Sequence, residues 1–405
     1  MSEAPLNVEV TVRKLAAALL ALALGAAACG GGGGGGGAEE GPIRIGLITS
    51  LTGNYAPLGT NDEKGVNLAV AQINQNGGIN GRQVEVVVRN DETNPDQAVI
   101  AFNDLLGQEV DAVIGPVFSN SSLAVIPLAE RNQMPFVSTS ASDQQVEPIR
   151  EYAFMTPPLA SQVAERHLQH FRAEGMTRIA LAHDTQSAYA VTGYTKIKEL
   201  AAPYGVEFVA DETFETGTGD FSALFTHVRE SGADALMVWV TGAPAVVITK
   251  QFAEADLGMS LVMTGAECST LYTEPAGPAA NGVILDCVAG AIGPHLPESE
   301  LKNTVLEMAV PFQEQHGYYP PQFAFDAYTA MRTLAAAIEK AGSTEADAIR
   351  SAMEGLTMVT PSGRVEFGPD KHHALVPENI SVVTVQNGEF VPTEWARQEL
   401  MTNFG

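Results

Sequence analysis

Basic residues are scarce in this chain. Its 405 residues include 22 Lys and Arg against 48 Asp and Glu, which gives a formal net charge of −26. Contact with a nucleic-acid backbone requires clustered Lys and Arg, and the sequence contains no such cluster. A nucleic-acid partner is therefore not expected. Acidity of this size is typical of a soluble monomer, but it does not identify a ligand.

Common catalytic and cofactor motifs are missing as well. The sequence has no Gly-x-Ser-x-Gly elbow and no His-Glu-x-x-His pair. His372 and His373 are adjacent, so they cannot share one helix face as metal ligands. Gly217-Thr218-Gly219 is followed by Ser222 where a dinucleotide-binding loop needs its third glycine. We therefore expect no enzymatic activity, no cofactor and no metal.

Long hydrophobic runs are confined to the N-terminus. Leu15–Ala28 follows Arg13 and Lys14, and its length of about 14 residues is shorter than a membrane-spanning helix. This pattern predicts a secretory signal peptide over residues 1–28. Small residues before Cys29 resemble the lipobox of bacterial lipoproteins, which implies that Cys29 is lipidated; an ordinary signal peptide with an incidental cysteine is the alternative. Glycines 30–37 predict a flexible tether within residues 29–41.

Cysteine is scarce too, with three in the chain. If Cys29 carries lipid, Cys268 and Cys287 remain as an even pair in an exported protein, where disulfides form and persist. The sequence leaves two alternatives open for this pair: a disulfide bond or two separate buried thiols.

From Ile43 onward, short apolar and β-branched runs alternate with segments of helical periodicity. This alternation predicts an α/β fold with two Rossmann-like lobes built on parallel sheets. The first four predicted strands precede Tyr152, and a hinge is predicted near Met155–Ala160. The strands are predicted at Ile43–Ile48, Val84–Asn90, Ala112–Ile114, Pro135–Ser138, Arg178–Ala182, Glu207–Thr213, Ala235–Val240, Leu261–Thr264 and Gly282–Val288, with short later strands at Arg364–Phe367, Ile380–Gln386 and Glu389–Val391. The helices between the first nine strands are predicted near Lys64–Gln75, Pro95–Leu106 with Asn94 as its N-cap, Ser121–Arg131, Gln162–Glu174, Val191–Ala201, Phe221–Ser231 and Pro244–Ala255.

In the C-terminal part of the chain, predicted helices no longer alternate with strands. Predicted helices at Glu298–His316, Phe323–Ala341 and Thr344–Gly355 follow one another without a strand, so they cannot extend a parallel sheet. We expect them to pack on the first lobe, which makes both lobes discontinuous in sequence. The predicted first lobe contains residues 42–158 and 290–367, and the predicted second lobe contains residues 159–289 and 368–405.

A series of short motifs resembles one family when the motifs are taken in order. They are Ile43–Ile48 with Ser50–Gly59, Gly77–Gly81, Asp91–Pro95, Ile114–Pro116 and Asp220–Leu224. Together they resemble the branched-chain amino-acid (Leu/Ile/Val-type) substrate-binding proteins of ABC transporters, which have the type I periplasmic binding protein fold. The resemblance implies two lobes on a multi-strand hinge that close over a small solute. It also implies an ABC permease and ATPase complex as the partner.

The same resemblance implies polar ligand contacts. Ser119, at the start of a predicted helix, matches a serine that contacts the ligand carboxylate; a plain helix cap is its alternative. Ser140 through its backbone and Ser142 through its side chain match groups that hold the carboxylate and the α-ammonium; a polar turn that satisfies its own hydrogen bonds is the alternative. Glu267 matches a glutamate that pairs with the ammonium, and a solvated surface acid is the alternative. Thr241 is expected to add a backbone contact from the second lobe.

Three further positions concern the ligand's shape. Tyr189 matches an aromatic residue that closes over the ligand, and Phe323 matches a side-chain-pocket position. Leu58 stands where an aromatic residue is frequent in the family. A place in the hydrophobic core is the alternative for each of them. The predicted function is an extracytoplasmic, lipid-anchored protein that captures a small amino acid, branched-chain or otherwise apolar. The alternatives are a ligand-binding sensor domain, or a binding protein for an amide, urea or an aromatic carboxylate.

Overall fold

The computed structural model describes residues 41–404, with side chains through residue 403. The predicted signal peptide, the lipidation site Cys29 and the glycines of the tether lie outside the described residues. Within residues 41–404, no helix is long and apolar enough to cross a membrane.

The first lobe is built on a sheet of five parallel strands. Its strands lie in the order β2-β1-β3-β4-β5, and β1 pairs with β2 along its whole length. The helix after β2 begins at a proline because Asn94 caps it, accepting from the N–H groups of Asp96 and Gln97. The elements are β1 (Ile43–Thr49), α1 (Ala56–Gln75), β2 (Val84–Asn90), α2 (Pro95–Gly107), β3 (Ala112–Ile114), α3 (Ser119–Arg131), β4 (Phe136–Ser138) and β5 (Ala153–Met155).

The second lobe is built on a sheet of seven strands within the described chain. Its elements are α4 (Ala160–Glu174), β6 (Arg178–Asp184), α5 (Ala188–Leu200), β7 (Glu207–Phe214), α6 (Ser222–Ser231), β8 (Ala235–Trp239), α7 (Ala243–Ala255), β9 (Ser260–Val262), α8 (Thr270–Ala276) and β10 (Ile284–Val288). Two later strands, β13 (Ile380–Gln386) and β14 (Glu389–Pro392), complete it. The order is β14-β13-β10-β9-β8-β6-β7, with β13 antiparallel to both of its neighbours.

Three helices between the two halves of the second sheet return to the first lobe. The closest packing joins α10 to α1: a Cβ on Gly65 would lie 2.3 Å from the carbonyl oxygen of Ala324, so only glycine permits this approach. Tyr328 Oη also donates to Gln72 Oε1 at 2.5 Å. The elements here are α9 (Glu300–His316), α10 (Gln322–Ala341), α11 (Ala346–Met353), β11 (Thr357–Thr360) and β12 (Gly363–Glu366), and α12 (Glu394–Phe404) ends the described chain.

Two chain segments that cross between the lobes are hydrogen-bonded to each other. Met155 N donates to His372 O at 2.9 Å, and Ala374 N donates to Met155 O at 2.8 Å. The ring of His372 stacks on Phe154 with centroids 4.1 Å apart. The hinge is therefore formed by several segments, and the predicted segment Met155–Ala160 is one of them.

The structure differs from the predicted elements where patterns are short or interrupted. Strands β5 and β11 and helices α8 and α12 were not predicted; the two strands have three and four residues, too few for a periodic pattern. Helix α1 begins at Ala56 rather than Lys64, because Pro57 starts it and its polar residues Asn61 and Asp62 face inward. Strand β9 ends at Val262, two residues before the predicted end.

Candidate functional site

A cleft lies between the two lobes where the carboxyl ends of the parallel strands meet. Open α/β sheets place ligands at this edge. The cavity inside the cleft is small, with a volume of about 50 Å³. Its walls are formed by Tyr55, Val117, Phe118, Ser119, Thr139, Ser140, Ala141, Pro157, Pro158, Val163, Ser187, Tyr189, Thr241, Ala266, Asp286, Gln322, Phe323 and Asp326.

The first-lobe wall presents the N-terminus of α3. Ser119 is the first residue of this helix and lines the cleft, and the cap residue Phe118 makes no side-chain cap hydrogen bond. The first N–H groups of a helix have no partner within the helix, and its dipole favours negative charge there. A ligand carboxylate can therefore bind at Ser119 without a basic side chain.

Ser140 lies next to this helix start, but its polar groups are engaged within the protein. Its hydroxyl lies 2.9 Å from Ser122 Oγ and 3.1 Å from Ser138 Oγ, and its N–H donates to Ser138 Oγ at 3.1 Å. Ser142 is fully buried outside the cleft, and its Oγ lies 3.0 Å from Thr192 Oγ1 of α5. The network thus makes Ser140 a wall residue and Ser142 a contact between the lobes.

The second-lobe wall carries Tyr189 and Thr241. Tyr189 lies in the first turn of α5, where Ser187 Oγ caps the helix by accepting from Ala190 N. Its ring packs edge-on against Trp239 with centroids 5.6 Å apart. Burial raises the pKa of Tyr189 well above its usual value, so the hydroxyl keeps its proton and can donate to a ligand.

Carboxyl groups supply the ionisable part of the cleft. Asp286 and Asp326 line it, and among the described lining residues none is Lys, Arg or His. Burial raises the pKa of Asp326 to about 8, against the opposing effect of hydrogen bonds from Ser362 and Gln322. Behind the wall, Asp62 Oδ2 accepts from Thr139 Oγ1 at 2.7 Å, and burial raises its pKa well above the usual value. Because this lining has no basic side chain, the helix N-terminus is the place in the cleft that suits an anionic group, and the carboxyl groups can pair with a cation where they are ionised.

Glu267 and Leu58 border a second groove beside the cleft. Phe323 and Ala266 line both spaces and separate them. Glu267 is 1% exposed; its Oε1 accepts from Gly242 N at 3.2 Å and its Oε2 from Thr264 Oγ1 at 3.4 Å. Burial raises the pKa of Glu267 well above the usual value. A buried carboxyl without a basic partner is costly, so an arriving cation would stabilise its ionised form.

Of the eight predicted ligand residues, the structure brings five to the cleft. Ser119, Ser140, Tyr189, Thr241 and Phe323 line it, Leu58 and Glu267 line the adjoining groove, and Ser142 lines neither. Sequence reasoning missed cleft residues whose signals were present. One such signal is Asp286, an acid inside the apolar run of β10, and another is Asp326, an acid among the buried residues of α10. The residues missed include Tyr55, Ser187, Asp286, Gln322 and Asp326.

Cys268 and Cys287 are joined by a disulfide, and their Cα atoms lie 5.7 Å apart. Both residues are buried. Of the two alternatives that the sequence left open, the structure has the disulfide. Among the residues from 41 to 404, no group of three or more His, Cys, Asp or Glu is arranged to hold a metal ion.

Known proteins resemble this chain over most of its length. The model of the family described as "Periplasmic binding protein" matches residues 42–389. The leucine-, isoleucine-, valine-, threonine- and alanine-binding protein of Pseudomonas aeruginosa is 27% identical over 335 residues, covering 80% of this chain and 85% of that protein. The Leu/Ile/Val-binding protein BraC3 of Rhizobium johnstonii is 26% identical over 360 residues, covering 87% and 94%.

A solved structure shows the same fold. The branched-chain amino acid transporter substrate-binding protein LivJ of Streptococcus pneumoniae, in complex with isoleucine, superposes with a TM-score of 0.77. It is 24% identical in sequence, and the match covers 86% of this chain and 97% of that one. The type I periplasmic binding protein fold expected from the sequence is confirmed.

Proposed function

The chain belongs to the periplasmic binding protein family, and from that premise we propose that it captures a small amino acid between its lobes and delivers it to an ABC permease. The family is one of solute-binding proteins rather than enzymes, and it acts outside the cytoplasm. The observation that carries the proposal is the division of the cleft between a helix N-terminus with Ser119 and a group of carboxyl side chains. The two charged ends of an amino acid match these two poles.

The apolar lining supports a branched-chain or otherwise apolar side chain. Tyr55 and Phe118 pack edge to face, with ring centroids 4.9 Å apart, and Phe323 completes this part of the wall with Val117. Burying an aliphatic side chain here would contribute roughly 25 cal/mol for each Å² of apolar surface removed from water. Affinity at such a wall depends on the size and shape of the ligand side chain, and these apolar residues offer no partner to a charged side chain.

Contacts between the lobes support capture by closure. Asn120 follows Ser119 in α3; its Nδ2 donates to Gln186 O at 3.0 Å and its Oδ1 accepts from Ala188 N at 2.9 Å. These bonds join the helix that would hold the carboxylate to the segment that carries Tyr189. Ligand binding and lobe closure are therefore coupled, because the same two segments take part in both.

The finer parts of the proposal concern delivery. We extend it to a lipoprotein that is anchored through Cys29 after removal of residues 1–28, acts as a monomer, and meets the membrane through its lipid and its permease. The lobe boundaries at residues 158/159, 289/290 and 367/368 belong to the same proposal; the two sheets, with strands at 43–155 and at 178–288 plus 380–392, are compatible with them.

A ligand panel tests the function. The purified protein is titrated by calorimetry with leucine, isoleucine, valine, threonine and alanine, and with urea, a small amide and benzoate as the competing ligand classes. We expect heat with at least one apolar amino acid and none with the last three. Heat confined to urea, the amide or benzoate would contradict the amino-acid assignment. A sensor role is tested separately, by asking whether the ligand-loaded protein stimulates ATP hydrolysis by a reconstituted permease and ATPase complex from the same organism; no stimulation would favour the sensor role.

A further inference from the structure

Two acidic residues of the second lobe each precede one half-cystine of the disulfide. Glu267 is followed by Cys268, and Asp286 is followed by Cys287. Building on the proposed function, we propose that Asp286 is a second carboxylate for the ligand ammonium, and that the disulfide holds it in position relative to Glu267. The sequence drew attention to Glu267 and to the pair Cys268 and Cys287, and the structure adds Asp286 and the bond between the two cysteines.

Asp286 has one oxygen engaged by the protein and belongs to the cleft wall. Its Oδ1 accepts from Gly265 N at 2.8 Å and lies 3.0 Å from His167 Nε2, which can donate to it. No described residue donates a hydrogen bond to Oδ2. A carboxylate with one oxygen anchored and the other without a donor is suited to receive an ammonium N–H in the cleft.

Glu267 and Asp286 are close enough to interact. The charge of Asp286 contributes to the raised pKa of Glu267, in addition to the larger effect of burial. Two carboxylates in one buried region repel each other unless a cation lies between them or beside them. A ligand ammonium would relieve this repulsion, so both acids would gain from the same bound group.

The backbone alone holds these two segments together weakly. Strand β9 pairs with β10 at one position, Val262 with Ile284, and Met263 N donates to Ile284 O at 2.7 Å. Beyond Met263 the described links are the hydrogen bond from Gly265 N to Asp286 and the disulfide. The covalent bond therefore replaces the ladder of hydrogen bonds at the point where the two acids must be positioned.

Gly265 shows how close the two segments are. A Cβ at this position would lie 2.6 Å from Asp286 Oδ2 and 3.0 Å from Asp286 O. The turn that leads to Glu267 therefore rests directly on Asp286, and no side chain fits between them. A shift of this turn would move both carboxyl groups and the cleft residue Ala266 together.

The test compares ligands that differ only at the proposed contact. Leucine is titrated against wild type and Asp286→Asn, and so is 4-methyl-2-oxopentanoate, which lacks the ammonium. We expect Asp286→Asn to weaken the affinity for leucine by about tenfold or more and to change the affinity for the oxo acid by no more than about threefold. Asp184→Asn is the matched control, because Asp184 is a buried acid at the end of β6 that does not line the cleft. Should Asp286→Asn fail to fold, Asp286→Ser provides the same comparison.

The positioning role of the disulfide has its own readout. The double variant Cys268→Ser/Cys287→Ser should weaken the affinity for leucine by about three- to tenfold and change the affinity for the oxo acid much less. Equal weakening of both ligands would mean that the disulfide only stabilises the fold. Leucine affinity within twofold of wild type in Asp286→Asn would overturn the role of Asp286, and so would equal weakening of both ligands in that variant.

A third ligand separates this inference from the proposed function. 3-Methylbutylamine carries the ammonium and side chain of leucine without its carboxylate, and its binding is followed by thermal shift. If the amine stabilises the wild-type protein and no amino acid does, the proposed function is contradicted but the role of Asp286 is not. In that case Asp286→Asn should abolish the stabilisation by the amine. A protein that responds to neither would overturn both proposals.

Discussion

The two walls of the cleft differ in how they are charged. The first-lobe wall offers the N-terminus of α3, hydroxyl groups and Asp326, whose pKa of about 8 keeps it uncharged at neutral pH. The second-lobe side carries Asp286 in the cleft and Glu267 in the adjoining groove, on segments joined by a disulfide. Under the proposed function, each lobe would bind one end of a zwitterion, so that a single ligand would bridge the two walls.

The largest expected effect would test whether the first-lobe wall is uncharged. Asp326 has a raised pKa, so the folded chain binds more protons than the unfolded chain between about pH 4 and 8, and the free energy of unfolding falls as pH rises through that range. Asp326→Asn is neutral at every pH and should remove this contribution. At about 1.4 kcal/mol for each pKa unit, the free energy of unfolding of the variant, taken relative to that of wild type, should rise by a few kcal/mol between pH 4 and pH 8.

Urea unfolding at several pH values measures this difference. Asp370→Asn is the control, because Asp370 is exposed and lies outside the cleft. Parallel pH profiles for wild type and Asp326→Asn would show that Asp326 is already charged at neutral pH, and the contrast between the walls would be lost.

The next effect concerns the acids of the second lobe. Glu267→Gln keeps the shape of the side chain and its acceptor oxygen for Gly242 N but removes the negative charge. A charge-assisted contact contributes about 1.5–3 kcal/mol, so amino-acid affinity should fall by more than about tenfold in calorimetric titration. Glu254→Gln, an exposed acid on α7 of the same lobe, should change nothing. If affinity were retained in Glu267→Gln, the ammonium would not depend on this side chain.

A smaller effect is expected at the helix N-terminus. Ser119→Ala removes one hydroxyl but leaves the backbone N–H groups of α3, so affinity should fall by about tenfold at most. Ser121→Ala is a close control from the same turn, since Ser121 Oγ has no hydrogen-bond partner and does not line the cleft. Equal losses in the two variants would mean that the helix start, rather than the Ser119 hydroxyl, is sensitive to substitution.

The smallest effect concerns the contact between the walls. Asn120→Ala removes two hydrogen bonds between the lobes, one exposed and one partly buried. At the lower end of the usual range, about 0.5 kcal/mol each, their loss should weaken affinity by about fivefold. Asn132→Ala at the other end of α3 is the control. Small-angle scattering with saturating ligand would show whether Asn120→Ala still closes, and unchanged affinity would separate closure from binding.

Much of the fold was predictable because its elements carry strong local patterns. The apolar runs of β1 and β2 and the cap of α2 at Asn94 were found with bounds close to those observed. Strand β5 was missed because three residues cannot show a period. The early start of α1 was missed because Asn61 and Asp62, buried against Pro57 O and Thr139, interrupt the apolar pattern of the helix.

The candidate site was only partly predictable, for a related reason. Ser119 and Tyr189 follow predicted strands at the ligand edge, and the family resemblance, rather than position alone, singled them out. Asp286 lies inside a strand that the sequence presents as core, and Asp326 lies inside a buried helix. An acid within an apolar run is a local signal of an unusual position, but it does not say where the acid lies. Whether it lines the cleft depends on which strand and which helix face the other lobe, and no local pattern carries that information.

The sequence by itself determined the alternation of strands and helices, the acidic balance and the family resemblance, because these depend on residues near one another in the chain. Only the tertiary structure decided that Cys268 is bonded to Cys287, that Leu58 and Glu267 border a groove beside the cleft, and that Asp286 lines the cleft itself. These results depend on distances between segments remote in sequence. Such distances are set by how the two sheets and α10 pack together, which is a property of the whole chain.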